Sequence, residues 1–541
     1  MIFILYIVSF LTRLIFLYHG HPSITHDEAD YFINSYLFAK SGTDIFSQRF
    51  FFTSGILNST SGVLVYIGSI FFNFFGKSIF TGRFPYAIVN SFIPVLFYLI
   101  VNKLTKNKTL SLISFMVLNF SPWFTYLSAM SAFDSPIALM FYLLSFYILL
   151  IKIKPKLKYF LFIILSFLSF NSYMGIKTVF PLLLTVALIA KELYEKKKLN
   201  IFLIVKNFSM SMLIFFVFFL SLYLFPGSKF FQNRLSEKIL PLNLKVLTGQ
   251  VNFDRSLSNG PKIIISALHN KITALIATSL EKYVFVFNPL YLFIKGDPHP
   301  IYGTNYFGLF YLFDGVFLII GLINIKKIFE KNLSVPLLFF LLLIVSPIPN
   351  ALMVDSPNIA VRTLLIIIPY SFFIAVGLYS LLDGLIKNKR YIVLFSSCLY
   401  FISFLFFLVI FQVTIKSASA EQWHRPEKNM IETISSLKDQ YRNIYIFNGE
   451  PKETILLYDF YTQTDVKKIR KSLAGEQFKI DNIVFSSSCK FPLIDNDDLY
   501  LIKIGDCEIE IRMKEQVLPF KIDLYMPSYY KINPLDELPT R

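Results

Sequence analysis

Apolar residues in this chain run unbroken for about twenty positions at a time, and they do so repeatedly. A helix of about 20 residues is what a hydrocarbon core ~30 Å thick requires, whereas a soluble domain interrupts its apolar residues every few positions. No other feature narrows the fold as far. Eleven stretches read as spans: 1–18, 85–101, 110–127, 134–151, 159–171, 178–190, 201–225, 305–325, 333–348, 363–385 and 391–415. The stretch 62–80 is apolar too, but a crossing there inverts everything after it, so it reads as a re-entrant or interfacial helix. No small-residue cleavage site follows the run at Met1, which reads as the first span rather than a signal peptide.

Charge orients the spans. The net charge of +17 suggests nucleic acid in a soluble protein, but here the basic residues sit in short links between apolar runs. Lys103, Lys106 and Lys108 occupy one link, Lys152, Lys154, Lys156 and Lys158 the next. Lys191 with Lys196 to Lys198, then Lys326 and Lys327, then Lys387, Lys389 and Arg390 complete the series. Lys-rich alternate links face the cytoplasm, so nucleic acid is not an expected partner. The opposite face then holds 19–84, 128–133, 172–177, 226–304, 349–362 and everything after about 416. Asp27, Glu28, Asp30, Asp134, Asp254, Asp297 and Asp355 fall on that outer side, which suggests that the chemistry is there.

After the last span the composition turns mixed and polar, and residues 416–541 read as a small extracytoplasmic α/β domain. Asn443 to Phe447 and Asn482 to Phe485 read as strands, 453–461 as a helix between them, and Glu508 to Met513 as a half-buried strand. Cys489 and Cys507 lie in this domain and either pair in an oxidising compartment or are two unrelated thiols.

The chain has no GxxxxGK[ST] loop, GxSxG elbow, HExxH motif or internal repeat, which removes the usual sequence support for ATP-driven transport and serine hydrolysis. The first outer loop, by contrast, carries His26-Asp27-Glu28-Ala29-Asp30-Tyr31. Adjacent acids so near a membrane exit are costly to keep near lipid. Such an acid suits proton abstraction from a hydroxyl or cation binding; solvated surface acids are the plain alternative. Asp134 at the start of a span is a site residue or a helix N-cap for Ser135-Pro136. Asp297 and His299 flank prolines in the long outer loop, where they contact substrate or a metal, or simply make a turn. Trp423 and His424, just past the last span, read as interfacial anchors.

The motif THDEADYFINSYLFAKSGTD, after a first span bearing Arg13, resembles the start of the polyprenyl-phosphate-sugar-dependent glycosyltransferases, which include protein O-mannosyltransferases and the aminoarabinose transferases of lipid A. Further likenesses follow in order: Gly82-Arg83-Phe84-Pro85; Ser121-Pro122-Trp123 with Asp134; Asn171-Ser172-Tyr173 to Lys177 with Pro181; Leu292 to Pro298 with Gly308 to Tyr311; and Ser346 to Pro349 with Ala360-Val361-Arg362. They cover roughly residues 10–385. The chain departs from the family where an Arg often precedes the second acid, having Ser128, Met130 and Ser131, and near Arg362, where Asn358 stands in place of an expected His.

The resemblance implies a GT-C fold, a bundle of transmembrane helices with an acidic first outer loop, in the plasma membrane. It implies a polyprenyl-phosphate-linked sugar as donor and a lipid, glycan or protein hydroxyl as acceptor. Asp27 is then the general base of an inverting transfer, and Glu28 orients it or helps bind a cation. Arg83, Lys177 and Arg362 stabilise the leaving phosphate, with Asp134, Tyr173, Asp297 and His299 as further substrate contacts. A divalent metal is left open as a cofactor. The rival is a transporter or lipid flippase without transferase activity, which calls for ionisable residues at mid-membrane depth and matched broken helices; Arg13 is the one residue read that way.

Overall fold

A backbone in lipid has no hydrogen-bond partner except itself, so an apolar run of this length becomes a helix. Each of the eleven stretches overlaps helical residues in the computed structural model, which describes residues 1–49, 53–55, 57, 60–130, 133–195, 200–224, 236–330, 333–354, 359–462, 464–474, 478–487, 497–503, 520–526 and 529–534. Asp355, Asn358, Cys489, Cys507 and the strand expected at 508–513 lie outside those residues. The first twelve helices are α1 (Ile2–His19), α2 (His26–Ser41), α3 (Gly62–Phe75), α4 (Ile79–Asn90), α5 (Phe92–Thr105), α6 (Lys108–Phe120), α7 (Pro122–Ser128), α8 (Ser135–Leu150), α9 (Pro155–Ser172), α10 (Met174–Lys177), α11 (Phe180–Tyr194) and α12 (Ile201–Leu224). Among the described residues, six helical segments are long and apolar enough to cross a membrane, or up to eight if each of two bent pairs is one span. The chain is a polytopic helical membrane protein.

Local chemistry explains where helices start and bend. At 1.5 Å per residue the 14 residues of α3 reach about 21 Å, short of the hydrocarbon thickness. Helix α4 begins six residues before the expected start at 85, because the Ser78 hydroxyl accepts the Thr81 N–H at 3.0 Å and Pro85 is carried inside the helix. Arg83 is therefore one turn into a buried helix rather than at a span's mouth. Between α6 and α7 the axis turns by 66° at Ser121-Pro122, with Pro122 in the first helical turn where its missing N–H costs nothing.

The later helices close the bundle. Leu312–Ile328 crosses Ile367–Leu385 at two glycines: a Cβ on Gly321 would meet the Phe373 carbonyl, and one on Gly377 the Phe317 carbonyl. Small residues are what allow backbones in a membrane to approach this closely. Asp314, buried in the first of these two helices, is a second ionisable residue in a predicted span beside Arg13. Its carboxylate accepts the Tyr311 N–H at 2.9 Å and the Tyr400 hydroxyl, so it works as a helix-start cap. The stretch expected as a long outer loop is largely helical, at Leu244–Leu257, Lys262–Leu268 and Lys271–Phe285; it contains the second of the two bent pairs and exposes Ile263, Ile272, Ile276 and Leu280.

Among the described residues, eight strands pair in two sheets. β1 (Thr53–Ser54) and β2 (Thr60–Ser61) pair in the first outer loop. β3 (Asn443–Phe447), β4 (Phe478–Ile480), β5 (Ile483–Ser486), β6 (Asp498–Lys503), β7 (Phe520–Met526) and β8 (Tyr529–Pro534) form one sheet in the order β4-β5-β3-β6-β8-β7, with β3 parallel to both β5 and β6. The helix Pro451–Tyr461 follows β3 and docks on α2, with the Phe32 and Phe460 rings 5.4 Å apart and the Tyr461 hydroxyl accepting the Ile24 N–H at 3.0 Å. Lys77 donates to the carbonyls of Asp459 and Thr462. One hydrophobic cluster runs from α2 and α3 into this region, through Phe32, Phe72, Ile431, Leu457 and Ile483.

Candidate active site

The first turn of α2 sends two neighbouring acids to opposite fates. Thr25 caps the helix: its hydroxyl accepts the Glu28 N–H at 3.2 Å, and Glu28 returns an oxygen to the Thr25 N–H at 3.3 Å. This box turns Glu28 into the bundle, fully buried, and leaves Asp27, about 100° round the helix, 27% exposed. Glu28 receives Arg83 in a two-pronged pair, Nε to Oε1 and Nη2 to Oε2, both 2.7 Å. Arg83 spends its other donors on the carbonyls of His21 and Ser23, both 2.8 Å, and its guanidinium lies 5.4 Å from the Trp423 ring. Glu28 thus caps a helix and holds Arg83. Arg83 clamps the first loop through the carbonyls of His21 and Ser23. Arg13 likewise meets Ser128, Thr12 and Asn119 side chains and the Ser9 carbonyl, with no acid among its described partners.

Ser121 and Trp123 hold the outer loop to the bundle, donating to the carbonyls of Leu309 at 2.6 Å and Tyr302 at 2.9 Å, while Tyr126 donates to Ile301 at 3.1 Å. So anchored, Tyr302 is buried, and burial first, then the negative charges of Asp27, Asp134 and Asp297, hold its hydroxyl well above the usual range. One turn after Asp27, Tyr31 donates to Asp134 at 3.3 Å, joining α2 to α8. Asp134 makes no side-chain cap on α8, so its carboxylate is directed at α2 rather than at its own helix.

Asp134 adjoins a small pocket lined by Ser135, Tyr173 and Arg362 among apolar residues that include Leu139, Ile176 and Leu365. Arg362 is the cation in that lining. Lys177 is buried, with its ammonium 5.4 Å from the Phe170 ring, and Asp27 stands outside the lining. Of the expected site residues, Tyr173 and Arg362 share this lining.

Asp297 and His299 make a turn. The Asp297 carboxylate accepts the His299 N–H at 2.9 Å and the Ala360 N–H at 2.6 Å, tying the loop to the short helix Ile359–Arg362. Burial pushes this carboxyl up to about 7, against the pull of those two N–H groups and of Arg362. His299 accepts the Ile301 N–H at 3.3 Å, and burial together with the charge of His26 lowers its imidazole. Tyr302, Tyr31 and His26 went unread as site residues. His26 stood next to Asp27 in the motif, whereas nothing local marks Tyr302. Trp423 and His424 are not interfacial anchors: Trp423 is fully buried and stacks on His21 at 4.3 Å, and His424 faces His26.

Residues 61–223 match the dolichyl-phosphate-mannose-protein mannosyltransferase family. The likeness read from the sequence is thus shown over α3 to the last turn of α12, the segment that holds Arg83, Asp134, Tyr173 and Lys177. The α2 motif and Arg362 lie outside it. Among solved structures, ArnT from Cupriavidus metallidurans bound to undecaprenyl phosphate is similar over 98% of this chain and 97% of its own, at 9% identity and a TM-score of 0.48. The apo state of the same protein covers 97% and 95%, at 10% identity and 0.48. The archaeal oligosaccharyltransferase AglB from Archaeoglobus fulgidus, in complex with an inhibitory peptide and a dolichol-phosphate, covers 99% of this chain and 75% of its own, at 11% identity and 0.47. No curated protein matches the chain in sequence.

Proposed function

We propose that the chain transfers a sugar from a polyprenyl-phosphate donor to an acceptor hydroxyl on the extracytoplasmic face of the membrane. The observation that carries the reading is the Tyr31–Asp134 hydrogen bond, which joins the helix bearing Asp27 to α8 beside a pocket lined by Ser135, Tyr173 and Arg362. Asp27, 27% exposed, takes the acceptor proton. The acceptor oxygen then bonds to the anomeric carbon from the face opposite the phosphate, and the polyprenyl phosphate leaves with the electron pair, which inverts the carbon. Arg362 neutralises the leaving phosphate, and preorganised charge at that point is usually the largest catalytic contribution. Lys177 is the second cation at this end of the bundle. Tyr173 and Asp134 position the donor, and Asp297 supports Arg362 through the turn it caps. The apolar side of the cavity suits the first isoprene units.

The test is the purified chain with a panel of polyprenyl-phosphate sugars and hydroxyl acceptors, read as free polyprenyl phosphate. Acceptor-dependent release from at least one donor is expected. A chain that translocates the intact lipid-linked sugar across vesicles and releases none is the flippase instead.

A further inference from the structure

One cluster lies outside the machinery just described. His26 opens α2, His424 immediately precedes the helix Arg425–Leu437, and Glu453 is in the first turn of Pro451–Tyr461. The Nδ1 of His26 is 3.3 Å from the Nε2 of His424 and 3.7 Å from a Glu453 carboxylate oxygen. All three atoms lie within 4.8 Å of one another. Each imidazole turns its other nitrogen to a further carboxylate: His26 Nε2 to Asp27 at 3.7 Å, and His424 Nδ1 to Glu427 at 3.7 Å. From these contacts we infer that His26, His424 and Glu453 bind a divalent transition-metal ion, zinc by ligand type, which pins the C-terminal region to the first outer loop next to Asp27.

The chemistry favours a metal over a chance meeting. Tetrahedral zinc holds nitrogen and oxygen ligands at about 2.0–2.2 Å, which puts neighbouring ligand atoms about 3.4 Å apart. Two of the separations here are within a few tenths of that figure, and the widest closes by rotation of the flexible Glu453 side chain. Metal-bound histidines almost always give their second N–H to a carboxylate, which fixes the tautomer and raises ligand basicity. Here each far nitrogen faces a carboxylate oxygen at 3.7 Å, Asp27 for His26 and Glu427 for His424, a separation that has to shorten for the hydrogen bond to form. Two imidazoles and a carboxylate suit zinc and its first-row neighbours better than magnesium or calcium, which take oxygen. His424 holds its place at φ 52, a left-handed conformation that is uncommon outside glycine. The three protein ligands leave a fourth position for water. Through His26 the ion fixes the nitrogen that Asp27 faces, so it is a positioning ion rather than a reacting one.

The inference stands apart from the transferase reading because binding is read with the metal alone. Full-length protein stripped with chelator is titrated with Zn²⁺ and with Co²⁺. One equivalent per chain, visible absorption of tetrahedral Co²⁺ and a rise in unfolding temperature with Zn²⁺ are expected. His424→Gln should weaken binding by at least about 100-fold, and Glu427→Gln, which leaves every ligand in place, by about 10–100-fold. Should His424→Gln fail to fold, Glu427→Gln carries the comparison. Absence of stoichiometric binding in the unaltered chain, or unchanged affinity in Glu427→Gln, overturns the site and leaves a hydrogen-bonded trio only. A chain that binds zinc but transfers no sugar keeps this inference and loses the other.

Discussion

Replacing Arg83 by Met separates a clamp from a catalyst. The side chain is 1% exposed, its partner Glu28 is fully buried, and four hydrogen bonds of 2.7–2.8 Å end on its guanidinium. Removing one partner of a buried pair typically costs about 3–5 kcal/mol, because the other charge is left stranded. Here the stranded groups are the Glu28 carboxylate and the carbonyls of His21 and Ser23, so Arg83→Met should fall at the upper end of that range. Glu28→Gln in the same chain removes the stranded charge while keeping the capping oxygen, and should recover about half of the loss. Denaturant unfolding in mixed micelles gives the cycle, with polyprenyl-phosphate binding measured on the folded fraction. The account predicts lost stability with near-normal donor affinity per folded molecule. An Arg83→Met protein that unfolds like the unaltered chain yet no longer binds donor phosphate refutes the reasoning and restores Arg83 to the site.

Two further outcomes follow from the cavity and its loop. Arg362→Met should lower turnover by about 10²–10³-fold, the usual worth of one preorganised donor at a developing charge, with the unfolding profile intact; turnover within a few-fold of normal removes Arg362 from the phosphate. For Asp297, whose folded carboxyl titrates at about 7 against an ordinary 3.8, the folded state holds more protons than the unfolded one between those values. Stability attributable to this group must therefore fall as pH rises from about 4 to 7. Asp297→Asn should abolish that slope, and stability curves across the window that stay parallel for the two proteins contradict the assignment.

Helices were easy to read because lipid leaves the backbone no alternative: each of the eleven apolar stretches overlaps a helix, although the helix in 305–325 starts only at Leu312 and 110–127 is bent into two, and Asn443 to Phe447 is β3 residue for residue. Side-chain roles were harder, because they depend on partners far along the chain. Arg83 looked like a cation at a span's mouth. Its true setting depends on a cap at Ser78 that starts α4 early and on a carboxylate 55 positions away. Asp27 and Glu28 are identical in kind, and only the Thr25 capping box decides which is buried. His26 and His424 stand 398 positions apart, so no spacing motif could join them. Trp423 had the composition of an interfacial anchor, but the first loop folds over it and makes it core. Ser121-Pro122-Trp123 was visible as a landmark, but its work, holding the loop that carries Tyr302, required the fold.

Asp27→Asn tests the central claim most directly. The change is nearly isosteric at a side chain 27% exposed, so folding and donor binding should survive while the base is gone. With one accepted donor and acceptor, release of polyprenyl phosphate should drop by about 10²–10⁴-fold, with donor affinity within a few-fold of normal. Turnover that remains near normal in this variant contradicts the assignment of Asp27 as the base and moves the chemistry to another acid of the outer face.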